Sequence, residues 1–158
     1  MAAWQHDYRL LPQAKLKEHY GRVPEMILTD DYEKIDWWGG IPEPNPEEIE
    51  RILPPTKSWS EQVKIWGSDR GNRISLIYEE GGALQSVELR IDLRQEYPKV
   101  RELIQLIILL AEKNEYCFRN DDGVILMPDY TALAEDMKLS DAQHFMNTSP
   151  AALFVDGL

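Results

Sequence analysis

The stretch ALQSVELRIDL, residues 83–93, alternates apolar and polar side chains without a break. Val87, Leu89, Ile91 and Leu93 fall on one side, and Ser86, Glu88, Arg90 and Asp92 on the other. A period of two over that length reads as a strand with one buried and one wet face. RISLIYEE before it alternates Ile74, Leu76 and Tyr78 against Ser75 and Ile77. EEGGA between them is hairpin chemistry, because paired glycines tolerate positive φ. SEQVKIWGS supplies a third run, in which Val63 and Ile65 alternate with Gln62, Lys64 and Trp66. Three strands at hairpin spacing predict an antiparallel meander. Pro98 then opens a long helix in which Val100, Leu103, Ile104, Ile107, Leu110 and Ala111 recur at helical spacing, widened by Leu106, Ile108 and Leu109. The predicted fold is α+β in two layers. A mainly antiparallel sheet built on the central meander packs against one long helix over residues 98–113, with short C-terminal helices covering the rest.

The flanks carry weaker patterns. Residues 1–24 show little periodicity beyond a short helix at KLKEH, and are predicted to be an N-terminal extension ordered by docking or dimerisation. Residues 25–158 are predicted to form a single α+β domain, and a chain of 158 residues is large enough to bury roughly 70% of its unfolded surface. Met26 to about Thr29 reads as a strand, followed by an acidic turn and a second extended piece carrying the tryptophans of DWWGGIPEPNPEE. Asn45, Pro46 and Glu48 suit the N-cap, first and third positions of a short helix that Pro54 and Pro55 stop. EYCFR and GVILM read as a last hairpin across NDDG, and Asp129 caps a helix through Met137. Ser140 with Gln143 suggests a capping box for a further helix, and AALFV a final turn.

Charge narrows the classes of partner. The formal net charge is −11, and residues 30–50 hold eight acids against one base, −7 within one short segment. Such a field repels phosphate backbones, so no nucleic-acid partner is expected, whereas a basic protein would be steered toward it. No apolar run reaches the ~18 residues that span a bilayer, so no membrane partner is expected. The N-terminus lacks the apolar core of a secretory signal, and the single Cys117 cannot form an internal disulfide. The expected location is cytoplasmic.

LPPTKSW, VKIWGSDRGNRI, ELRIDLR and the closing SDAQHFMNTSPAALFVDGL resemble a loosely related set of small acidic bacterial proteins of unknown function, over roughly residues 30–158. The resemblance implies a bacterial cytoplasmic protein made to bind another protein, in the style of small acidic α+β proteins that neutralise toxins.

Among candidate binding residues, Trp37 and Trp38 come first, flanked by the acids Asp36 and Glu43. Adjacent side chains in an extended piece face opposite ways. One indole therefore packs inward, and the other either lies beneath Pro42 or Pro44 or stands out as an anchor for a partner. Trp66 is expected on the wet face of the meander if Val63 and Ile65 face the core. Covered by the acidic segment, it would join Trp38 and the prolines in one aromatic cluster. Arg90, Asp92 and Arg94 form an i, i+2, i+4 row, read either as a salt-bridged solvated face or as an anion site with two guanidinium prongs. His6, His19 and His144 lack ligand spacing, NDDG is turn chemistry, and Cys117 reads as core, so no metal or cofactor is expected. No nucleophile, phosphate-loop or metalloprotease motif is present, and no catalytic residue is assigned. The leading reading is a non-catalytic protein-binding domain. The alternatives are a small-molecule or anion binder, or weak hydrolase, centred on Arg90, Asp92 and Arg94, and a homo-oligomeric structural protein.

Overall fold

The computed structural model describes residues 4–140. Seven strands form one antiparallel sheet: β1 (Gln5–Pro12), β2 (Pro55–Thr56), β3 (Val63–Gly67), β4 (Arg73–Tyr78), β5 (Leu84–Asp92), β6 (Tyr116–Arg119) and β7 (Ile125–Leu126). Their order across the sheet is β2-β3-β4-β5-β1-β6-β7. The helices are α1 (Gln13–Tyr20), α2 (Thr29–Lys34), α3 (Pro46–Glu50), α4 (Tyr97–Asn114) and α5 (Tyr130–Lys138). The fold is α+β, with the expected meander as β3, β4 and β5 and the expected long helix as α4. Local chemistry sets several boundaries. Asn45 Oδ1 accepts from the Glu47 amide to cap α3, and Asp129 Oδ2 accepts from the Ala132 amide to cap α5. Glu115 adopts φ 56°, a left-handed residue that turns the chain from α4 directly into β6.

Register assigns the two faces. His6, Tyr8 and Leu10 lie opposite Ile91, Leu89 and Val87; Ile74 and Leu76 lie opposite Leu89 and Val87; Trp66 lies opposite Ile74 and Phe118 opposite Leu10. Opposed residues share a face. Together they make one apolar surface that receives Val100, Leu103, Ile104, Ile107, Ile108 and Ala111 of α4 in a single core. The other face carries Asp7, Arg9, Arg73, Ser75, Glu88 and Arg90, with Leu11 and Cys117 buried toward one end.

Within the span expected to be an extension, residues 1–24, the described residues 4–24 are part of the domain. Residues 5–12 form β1, an interior strand held on both sides: six residue pairs join it to β5 and four join it to β6. Tyr8, Leu10 and Leu11 are among the most buried side chains, so the division placed at residue 24 cuts through the sheet. The expected strand at 26–29 shrinks to a single bridge, Met26 to Val124, and the expected acidic turn is helix α2. Trp66 is also reversed relative to expectation. It faces the core beside Ile74, while Ile65 and Val63 take the polar side opposite Ser75 and Ile77. Each side of β3 carries a large buried apolar residue, Ile65 on one and Trp66 beside Lys64 on the other, so the strand's own pattern does not fix its facing; the neighbouring strand does. The helix expected after Ser140, the final turn and His144 lie outside the described residues.

Candidate functional site

The acidic segment is a strap around one end of the sheet. It leaves the β7 edge, where the Ile27 amide donates to the Gly123 carbonyl, and crosses the polar face as α2. There the Tyr32 ring lies under the Arg119 guanidinium, 4.5 Å from its centroid, and Arg119 donates twice to the Ile27 carbonyl. Trp37 stacks on Tyr32 at 5.7 Å and 25°, and its Nε1 donates to the Tyr32 carbonyl at 2.9 Å. Trp38 drops to the opposite, apolar face and meets Tyr116 edge-on at 5.4 Å. Both indoles are buried, at 3% and 4% exposure, so neither is a free anchor. They sit in a turn rather than an extended piece: Asp36 Oδ1 accepts from the Gly39 amide, and any side chain at Gly39 would run into the Asp36 carboxylate. Between Pro42 and Pro44, Glu43 accepts from the Tyr78 hydroxyl at 2.6 Å, and past the prolines Glu48 pairs with Lys113 of α4. Trp38 and Trp66 both belong to the core.

This construction separates scaffold from charge. Two tryptophans on opposite faces hold the strap, while Asp30, Asp31, Glu33, Glu47 and Glu50 remain exposed with no ion pair among the described residues. Trp37→Phe keeps an aromatic ring against Tyr32 but removes the pyrrole half of the indole, and with it the bond to the Tyr32 carbonyl. It is expected to cost about 1 kcal/mol in urea unfolding and to raise amide exchange over residues 29–38. Unchanged exchange there would show that the indole N–H does not hold the strap.

The arginine row is placed differently from a free fork. Arg90 donates through Nε and a terminal nitrogen to both oxygens of Asp7, at 2.9 and 3.2 Å, and that hydrogen bonding raises its pKa. Arg94 donates to both oxygens of Asp92, also donates to the Arg70 carbonyl, and lies 4.2 Å from the Trp4 ring centroid. Asp92 is buried and also accepts from the Arg94 amide. Each guanidinium therefore already has its carboxylate, and Trp66 lies on the opposite face. The site imagined around Arg90, Asp92, Arg94 and Trp66 is not assembled. Arg9 and Glu88 pair similarly at 2.8 Å beside a cleft of about 520 Å³ whose other walls include Tyr32, Trp37 and Ile77.

One cluster gives no local signal in the sequence. Asp136 of α5 accepts from the Tyr8 hydroxyl at 2.6 Å, from His6 Nε2 at 3.0 Å and from Asn120 Nδ2 at 2.6 Å. With a carboxylate as acceptor, His6 Nε2 carries the proton. Burial pushes the Asp136 pKa up, but bonds from His6, Tyr8 and Asn120 outweigh it and hold the carboxyl below its ordinary value. Burial and Asp136 together raise the Tyr8 hydroxyl well above its ordinary value. A neutral phenol, an ionised carboxylate and an amide that satisfy one another form a fastener for α5. Burial likewise pushes the Cys117 thiol up to about 12, which suits a core side chain better than a nucleophile.

Among the described residues no helix is long and apolar enough to cross a membrane. Compared with known proteins, the chain matches no family model, no curated protein and no solved structure.

Proposed function

We propose that this chain is a non-catalytic protein-binding domain that presents its acidic strap to a basic protein. The observation that carries the reading is the strap itself. Five carboxylates without ion pairs among the described residues stand on a backbone pinned from both faces by Trp37 and Trp38. A charged surface held rigid loses little conformational entropy on docking, and its field steers a partner of opposite sign. The resemblance to small acidic bacterial proteins extends the reading to a toxin-neutralising role in the cytoplasm, with a basic toxin as the partner.

Salt decides it. At ~0.5 M salt the screening length falls to roughly 4 Å, so basic proteins retained on the immobilised chain at low salt are expected to be released. A variant carrying Asp30→Asn, Asp31→Asn, Glu33→Gln, Glu47→Gln and Glu50→Gln is expected to retain none of them. Retention that ignores both the salt and the five substitutions would count against the strap as the docking surface.

A further inference from the structure

We propose that Trp59 and the cleft that begins two residues further along the chain form the part of the docking surface that takes an arginine side chain of the basic partner. This rests on the strap reading and locates its aromatic anchor. Trp37, Trp38 and Trp66 are buried, whereas Trp59 is 67% exposed. Its turn is ordered. The Ser58 hydroxyl donates to the Ser60 carbonyl and accepts from the Ser60 amide, and the Gln62 amide donates to Ser60 Oγ. An indole held out on a fixed turn is a preorganised contact, and tryptophan is the residue most enriched where binding energy concentrates.

Two residues on, Glu61 begins the wall of a cleft of about 520 Å³ that also includes Lys64, Tyr78, Glu79 and Glu80. The Tyr78 hydroxyl donates to Glu43, which brings the strap to this rim. Glu61, Glu79 and Glu80 have no ion pair among the described residues. The cleft already holds one cation against an aromatic face, since Lys64 Nζ lies 5.2 Å from the Tyr78 ring centroid. Glu61, Glu79 and Glu80 in the wall and Glu43 at the rim set four carboxylates against that one ammonium, so the site is left short of positive charge. Arginine fits it better than lysine, because a planar guanidinium stacks on an indole while its edge pairs with a carboxylate. The molecule uses that arrangement itself: Arg94 lies over Trp4 while bonded to Asp92.

A seven-residue peptide alternating glycine and arginine, with lysine and citrulline counterparts, tests the assignment through tryptophan emission in the wild type and through calorimetric titration in the wild type and every variant. The arginine peptide is expected to quench the exposed indole and to bind about tenfold more tightly than the citrulline peptide, the strength of one cation–π contact joined to an ion pair. Trp59→Ala, and separately Glu79→Gln with Glu80→Gln, are each expected to weaken it about tenfold without lowering the melting temperature. Equal affinity for the arginine and citrulline peptides, or for wild type and Trp59→Ala, would overturn the assignment. A peptide that the five strap substitutions release but Trp59→Ala does not would overturn it too, while leaving the strap reading intact. Arginine binding lost with Trp59, alongside protein retention indifferent to the strap substitutions, would keep this site and remove the strap.

Discussion

A chain lacking residues 1–12 is expected to remain unfolded at 25 °C, with no cooperative transition in urea and no native near-ultraviolet dichroism. β1 is the link between β5 and β6, so its loss divides the sheet into a four-stranded piece and a two-stranded remnant. A two-stranded piece alone is marginal in water. The deletion also takes Tyr8, Leu10 and Leu11 out of the core, at roughly 1.5–3 kcal/mol each for buried area alone. Two interior strand edges are then left without partners, and α5 loses the Tyr8 and His6 donors that hold Asp136. Those losses rival the whole ~5–15 kcal/mol by which a domain is stable. Adding a synthetic peptide of residues 1–14 to the truncated chain is expected to restore cooperative unfolding, because the vacant groove is specific for that strand. A truncated chain that melts cooperatively within a few degrees of the full protein would contradict the interior position of β1.

The missed strand explains how much of the fold the sequence makes legible. β4, β5 and α4 announce themselves because Ile, Val and Leu repeat at the period of their element, and the caps at Asn45 and Asp129 are short-range signals. β1 alternates in its facing, His6, Tyr8 and Leu10 against Gln5, Asp7 and Arg9, but two of its three core-facing residues carry polar groups and Leu11 breaks the polar side, so no apolar period shows. Their polarity is consistent with burial only because Asp136 waits across 130 and 128 residues of chain. Nothing local encodes such a partner. The arginine row shows the same boundary. Its position on the polar side is readable from alternation, but the carboxylate that takes Arg90 arrives on β1 and is invisible until that strand is placed. For Trp37 and Trp38 the pattern gives opposite sides and cannot say whether both sides are covered. The covers are Tyr32 and Tyr116, one from the same segment and one from the start of β6.

Asp136→Ala is expected to destabilise the protein by about 3 kcal/mol and to lower the melting temperature by roughly 10 °C, given ~2–4 °C per kcal/mol at this chain length. The cost comes less from losing a carboxylate than from what it leaves behind. The Tyr8 hydroxyl, His6 Nε2 and the Asn120 amide would each be a donor with no acceptor, at a place water reaches poorly. Tyr8→Phe alone removes one bond and leaves Asp136 two donors, so it is expected to cost about 1 kcal/mol. In the Asp136→Ala background the same change is expected to cost nothing or to help, since it deletes an orphaned hydroxyl, and the double-mutant cycle should therefore show coupling. Acid supplies a second readout with a defined sign. The native Asp136 pKa is depressed, so its contribution is fully present above the unfolded carboxyl value of ~3.9 and is lost as pH falls through the depressed native value. The stability gap between wild type and Asp136→Asn is expected to narrow as pH drops from ~5 to below ~3, and to be insensitive to pH between 6 and 8 as far as this carboxylate is concerned. A gap that persists undiminished at low pH would mean that the side chain's shape, and not its charge, fastens α5 to the sheet.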